Sequence, residues 1–307
     1  MANRGVAIIG GGIMGGDIAT SFAAAGWDAH VMSPSQKTRD ALHGRVAKGL
    51  DRLGADAALG SAVRAYTQLA ELPWPSIELV VEAVTEDLAL KHRVFTELEA
   101  LARPEVPLAT NTSSFPVTEV GKHLRTRSRV CGAHYFMPAH IVPLVEVVYA
   151  EFTDPKVADQ VEAIMKSVGK VPVVVKKDIP GFLANRMQHA LLREAFWLLD
   201  NGIATAEGID AAVRYGFGFR FVACGPLMQK EMSGWDTNYF AGSTIYPSLS
   251  NASAPPEMFK KMVQQGEIGM KTKKGLWTWS DEDIAREKTQ YEKALHAGFE
   301  ILQSEQK

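Results

Sequence analysis

Near its start the chain reads "VAIIGGGIMGGDIA": a short apolar run at residues 6–9, then Gly10-x-Gly12-x-x-Gly15, then a helical pattern from Ile13. Few features narrow the choice of fold so far. Glycines at these spacings allow a tight turn, a close backbone approach to a bound group and close packing of helix on strand. The helix that opens there presents unpaired N–H groups and the positive end of its dipole, which suits a pyrophosphate. A glycine pattern alone is common in turns between a strand and a helix. Its position between the two is what selects the dinucleotide reading. Gly10, Gly12 and Gly15, with Ile13 and Met14 between them, are the first candidate cofactor contacts.

Strand and helix signals alternate downstream. Residues 28–32 form a second short strand, and residues 37–72 show helical spacing broken by Gly49, Gly54 and Gly60. "IELVVEAV" is a buried strand, residues 88–102 are helical, and "VPLATN", "RVCGAHYF" and "PLVEVVYA" are three further strands. A helix over 154–168 and the strand "VPVVVK" complete the series. Such alternation predicts an α/β fold, a mostly parallel, doubly wound sheet with helices on both faces. After "KKDIPG" the pattern turns helical, starting with "FLANRMQHALLREAFWLLDNG". The predicted division is residues 1–178, a dinucleotide-binding domain, and residues 179–307, an all-α domain.

Composition excludes several classes. The 307 residues carry a net charge of −2, and no basic arm suggests nucleic acid. No apolar stretch approaches the roughly 20 residues of a membrane span, and no signal peptide is read at the start. Cys131 and Cys224 stand far apart, without metal-ligand spacing. The expectation is a cytoplasmic protein with free thiols and no metal.

The second strand bears on the ribose of the cofactor. An acid about 20 residues after the glycines would bond a 2′-hydroxyl. Here the strand runs into "HVMSPSQKTR", so Ser33 stands in that place, followed by Ser35, Lys37 and Arg39. A carboxylate would repel a 2′-phosphate, whereas hydroxyls and cations would hold one. The reading favours NADP(H) and leaves NAD(H) open. Lys37 and Arg39 read equally as the solvated start of a helix.

One buried-looking segment, "AHYFMPAHIVPLVEVV", carries His134 near the end of one strand and Glu146 within the next. A histidine titrates near neutrality, and a carboxylate can orient it and stabilise its charged form. On spacing alone they form either a proton-transfer pair or a core histidine beside an edge carboxylate. His140 competes for the role, but the sequence gives it no carboxylate of comparable placement.

Four segments, "GGGIMGGDIA", "ATNTSSFPVTEV", "HYFMPAHIVPLVEVV" and "KKDIPGFLANR", together resemble the 3-hydroxyacyl-CoA dehydrogenase family over nearly the whole chain. Two weaker matches are "GPLMQKEMSGWD" and "GMKTKKGLWTW". The family includes acyl-CoA enzymes and relatives acting on small free acids. The resemblance implies a Rossmann-type domain followed by a helical one that dimerises. It makes His134 the general base, Glu146 its orienting partner, and Ser113 and Asn185 the groups that bond the reacting oxygen. Glu86, Lys91 and Asn111 join the implied cofactor contacts. Ser113 also reads as a helix N-cap, and Asn185 as an interdomain hydrogen bond.

Three departures matter. Met137 replaces the asparagine usual in the segment that His134 opens, and Ser33 replaces the ribose acid. The stretch before "IELVVEA" is short and poor in lysine, which argues against the phosphates of CoA. The resulting expectation is a dehydrogenase of a free 3-hydroxy acid, with a 3-hydroxyacyl-CoA as the alternative. A catalytically quiet, crystallin-like relative is the reading of another class, and the intact Ser113, His134, Glu146 and Asn185 oppose it. Dehydrogenases that use a lysine on the first helix of the second domain are set aside, since "FLANRMQHALL" has none.

Overall fold

A computed structural model of the chain describes residues 4–304. These divide into two compact units, the first running through Asn185 and the second starting at Arg186. In the first unit β1 (Gly5–Ile9), β2 (Asp28–Met32), β3 (Val63–Tyr66) and β4 (Ile77–Glu82) are followed by β5 (Leu108–Thr110), β6 (Val130–Tyr135), β7 (Leu144–Tyr149) and β8 (Val171–Val175). They form one sheet in the order β3-β2-β1-β4-β5-β6-β7-β8. Neighbours pair in parallel except β6 and β7, which are antiparallel. The strand order reverses between β1 and β4, the place where open α/β sheets bind ligands.

Alternation along the strands builds both faces. Val6 and Ile8 join Phe22, Leu42, Leu50 and Met165 in one cluster, which draws on α1 (Ile13–Ala24), α2 (Gln36–Arg52) and α5 (Pro155–Ser167). Ala7 and Ile9 point the other way, into a cluster with Phe95, Leu98 and Val120 from α3 (Leu88–Leu101) and α4 (Val117–Gly121). The sheet is therefore covered on both sides, as a parallel sheet requires.

The region 37–72 differs from its expected helical pattern. Helix α2 ends at Arg52, Gly54 turns the chain at φ +62°, and β3 follows a short 3-10 turn. Pairing of Ala29–Met32 with Val63–Tyr66 along the sheet edge overrides a weak helical spacing.

At the glycine turn, Gly10 has φ +115°, and a Cβ there would lie 2.4 Å from the carbonyl oxygen of Ala83. A Cβ on Gly15 would fall 1.7 Å from the Gly10 oxygen. Both positions are closed to any side chain. At Gly12 an added Cβ would meet nothing within 4 Å, so the turn keeps an open face over the start of α1.

The second unit holds most of α6 (Ala184–Asp200), then α7 (Ala206–Ala212), α8 (Pro226–Ser233), α9 (Trp235–Ile245), α10 (Glu257–Gln264) and α11 (Asp281–Ser304). Among the described residues it shows only two isolated bridges in place of strands. No helix among them is long and apolar enough to cross a membrane. Gly242 is the one buried residue described in this unit.

Replacing Gly15 by Ala forces the turn apart. The expected outcome is a loss of stability of about 3 kcal/mol or more, read as a lowered urea midpoint, with little change in unfolding cooperativity.

Candidate active site

The antiparallel register of β6 and β7 sets His134 directly opposite Glu146. His134 Nδ1 lies 2.8 Å from Glu146 Oε2, and both side chains are buried. A carboxylate only accepts, so Nδ1 carries the proton of this bond, and Nε2 is the ring nitrogen turned away from Glu146. No hydrogen bond reaches that Nε2 among the described residues. The other oxygen, Oε1, accepts from the backbone amides of Leu183 (3.0 Å) and Ala184 (2.8 Å), where α6 begins. The helix start thus places two N–H donors and its positive dipole end on the buried carboxylate.

Phe182 completes this corner. It is buried and has φ +45°, a left-handed backbone that bulky residues rarely adopt. Gly181 before it has φ +78°. This turn aims both amides at Glu146, and the Phe182 ring packs edge-on against His134 with centroids 5.4 Å apart. Phe136 packs edge-on against the same imidazole at 4.6 Å. Asn185 follows in the first turn of α6, half-buried.

A second network lies at the ends of β4 and β5. Glu82 is buried and accepts from Lys91 Nζ (2.8 Å), Thr110 Oγ1 (2.7 Å) and the Val84 amide (2.7 Å). Lys91, also buried, reaches Glu86 at 3.4 Å. Glu86 accepts from the Ser113 amide at 2.8 Å and from Thr112 Oγ1 at 2.9 Å. Burial pushes the Glu86 carboxyl up, but the Ser113 amide, the Lys91 charge and Thr112 together hold it below the usual carboxylate range. Glu86 thereby fixes the loop that carries Ser113, whose own side chain is exposed. Asn111 joins the two networks: its Oδ1 accepts from the Tyr135 amide, next to His134, at 2.8 Å.

At the other candidate cofactor positions, Ser33 is buried, and its carbonyl accepts from Arg39 Nη1 at 2.6 Å. Arg39 Nη2 bonds the Gln36 side chain. Ser35 caps α2 by accepting from the Thr38 amide. Lys37 is exposed and makes no bond among the described residues. The structure thus brings Arg39, rather than Lys37, against Ser33. Arg45 from α2 donates to the carbonyls of Gly11 (3.0 Å) and Gly12 (2.9 Å), bracing the glycine turn from below. The open face at Gly12, with the helix start under it, fits a pyrophosphate.

His140 needs a correction. It does have a carboxylate beside it: Asp17 Oδ1, from α1, lies 3.3 Å from Nδ1. Neither ring nitrogen makes a hydrogen bond, and both are sealed inside the protein. Both imidazoles are buried; they differ in that His134 is held by Glu146 through Nδ1, whereas His140 has neither ring nitrogen bonded, although an acid lies beside it. Sequence reading missed Asp17, Phe182 and Arg45. An acid inside the apolar helix pattern "IMGGDIATSFAA" was the available signal for Asp17.

A doubly wound sheet whose glycine turn shares one unit with a carboxylate-held histidine is the arrangement of a pyridine-nucleotide dehydrogenase. The chain belongs to the 3-hydroxyacyl-CoA dehydrogenase family: residues 5–179 match that family's NAD binding domain and residues 181–279 its C-terminal domain. It is 31% identical over 304 residues to a 5-formyl-3-hydroxy-2-methylpyridine 4-carboxylate 5-dehydrogenase of Mesorhizobium japonicum, covering 98% of each chain. It is 32% identical to a 3-hydroxybutyryl-CoA dehydrogenase of Clostridioides difficile, over 90% of this chain and 99% of that one. Its fold superposes with a TM-score of 0.90 on a crystal structure of the former kind of enzyme, described as an NAD+ dependent dismutase; they share 29% identity and cover 98% and 99% of the two chains.

Proposed function

We propose that the chain oxidises the secondary alcohol of a small free 3-hydroxy acid, or reduces the matching 3-keto acid, with a nicotinamide dinucleotide. The observation that carries this is the His134–Glu146 hydrogen bond at 2.8 Å, backed by two amides on the far carboxylate oxygen. His134 Nε2 takes the hydroxyl proton as the C–H bond breaks. Glu146 stabilises the imidazolium that forms and keeps the ring aimed. Ser113 and Asn185 donate to the substrate oxygen, most strongly as negative charge gathers there. The nicotinamide ring, when bound, supplies the hydride acceptor. A free acid is favoured over a CoA thioester by the shortness and few lysines of the stretch between β2 and β4 and by the full-length likeness to an enzyme of a pyridine carboxylate.

In this reading residues 1–178 bind the cofactor, through the glycine turn with Glu86, Lys91 and Asn111, and residues 179–307 serve the substrate and a second copy of the chain. The free thiols Cys131 and Cys224 support a reducing, cytoplasmic setting.

His134→Ala is expected to remove turnover by at least about a thousandfold while cofactor binding, followed by fluorescence titration, stays near normal. Glu146→Gln keeps the shape but not the charge and is expected to lower kcat strongly, though less. A His134→Ala enzyme that retained a third of its turnover would sink the assignment.

We further propose NADP(H) as the preferred cofactor. Ser33 puts no charge where a 2′-phosphate would lie, and the Arg39 guanidinium sits against it, with Lys37 nearby. One charge-assisted bond is worth about 1.5–3 kcal/mol, tenfold or more in affinity. Ser33→Asp should reverse the preference, and Arg39→Ala or Lys37→Ala should weaken NADP(H) and spare NAD(H). The check is the ratio of kcat/KM for the two cofactors. A wild type that prefers NAD(H) tenfold, with both alanine variants unchanged, would show these cations to be merely solvated.

A homodimer through the helical unit is the third element. Phe219 is 72% exposed and Leu227 73%, within the apolar stretch 216–228. Helices that bury no apolar side chain of their own cannot offset the entropy of ordering them, and a matching copy would cover the patch. Sedimentation at micromolar protein should show a dimer, and a clean monomer would refute this.

A further inference from the structure

The connection between β6 and β7, residues 136–143, carries His134 at one side and Glu146 at the other, and it is held from beneath by groups the reaction does not use. Lys170, buried between α5 and β8, donates its Nζ to the carbonyls of Ala139 (2.5 Å), Val142 (3.1 Å) and His140 (3.3 Å). An ammonium has three protons, and three carbonyls take them. Asp17, also buried, accepts from the Ala139 amide at 3.1 Å, and Ser21 Oγ reaches the Ala139 carbonyl at 3.3 Å. The backbone of Ala139 is thus gripped through both its N–H and its C=O. Met137, the second residue of this connection, is 62% exposed.

We propose that Lys170 and Asp17 are positioning residues for the reaction: together they fix the β6–β7 connection and with it the aim of the His134 imidazole at Glu146. This rests on the reading of that pair as the proton-transfer pair. β6 pairs with β5 only as far as Gly132, so at His134 it is paired with β7 alone, and a connection of eight residues would permit twisting there. Hydrogen-bonded aim is sensitive to such movement, because a displacement of about 1 Å can cost on the order of a hundredfold in rate. Burial pushes the Lys170 ammonium down to about 8, and the Asp17 charge opposes that shift. The charged group that acts on Lys170 is Asp17 from α1, which also lies beside the His140 imidazole; from the connection Lys170 meets backbone carbonyls. Asp17 therefore keeps the third proton on Lys170, and so keeps the third carbonyl bonded, to higher pH.

The test uses the full chain with Lys170→Met, Asp17→Asn and the double variant. One readout is independent of any substrate: the downfield proton resonance of the His134 Nδ1–H bonded to Glu146, assigned by its loss in His134→Gln. The other is kcat and KM with whichever hydroxy acid the wild type turns over. Lys170→Met should broaden or erase that resonance and lower kcat about tenfold or more, with KM and cofactor affinity within about twofold. Asp17→Asn, which keeps the shape and the bond to the Ala139 amide, should act normally at neutral pH and lose kcat as the pH rises. The double variant should be no worse than Lys170→Met alone, since Asp17 acts through the ammonium. An unchanged resonance and kcat in Lys170→Met, even with a lowered melting temperature, would reduce the cluster to scaffolding and overturn the proposal. Additive losses in the double variant would overturn the link between the two residues. Should Lys170→Met fail to fold, Asp17→Asn decides: an alkaline loss of the resonance that the wild type lacks supports the proposal, and its absence overturns it. A wild type with the resonance but without hydride transfer would refute the functional reading and leave the positioning result standing.

Discussion

Glu146 is the constraint around which the rest is arranged. A carboxylate taken fully out of water is costly unless every oxygen is bonded. Here one oxygen holds the imidazole of β6, and the other holds the first amides of α6. The single acid therefore ties together the antiparallel strands and the start of the helix that leads into the second unit. The left-handed Phe182 is the backbone cost of that arrangement, offset by a buried ring packed on the same histidine.

The other half of the site obeys the same logic with different residues. Glu82 and Lys91 neutralise one another in the interior, and the surplus reach of the ammonium fixes Glu86. Glu86 then shapes the loop that presents Ser113. Both networks convert buried charge into fixed direction. Asn111 links them through the Tyr135 amide, a direct bond between the segment that leads to Ser113 and the histidine strand.

Much of this was legible in the chain itself. The glycine turn is read from steric necessity, and the structure shows Gly10 and Gly15 without room for a Cβ. The meeting of His134 with Glu146 was legible because a hairpin brings near neighbours in sequence face to face, while the role given to the pair came from the family resemblance. β3 was not, because Val63–Tyr66 is short and carries Arg64, so only its pairing with β2 makes it a strand. The Asp17–His140 pair was hidden for another reason. Its partners come from α1 and the β6–β7 connection, far apart in the chain, and no local spacing encodes their meeting. The turn at Gly181 and Phe182 was half visible: the glycine announced it, but a phenylalanine in the left-handed region carries no signature in sequence.

The lone antiparallel pair also orders the assembly of the molecule in time. β6 and β7 meet across a connection of residues 136–143, whereas β1 must wait for β4 across residues 10–76. Closing a flexible loop costs more as it lengthens, by about 0.6 kcal/mol per doubling, and distant pairings form later. Loop closure alone therefore favours the meeting of the imidazole and its carboxylate over the closing of the nucleotide half. By the same argument the elements around the switch point are the costliest to close, and the chemistry of the site can be drawn up before there is anything for it to act upon.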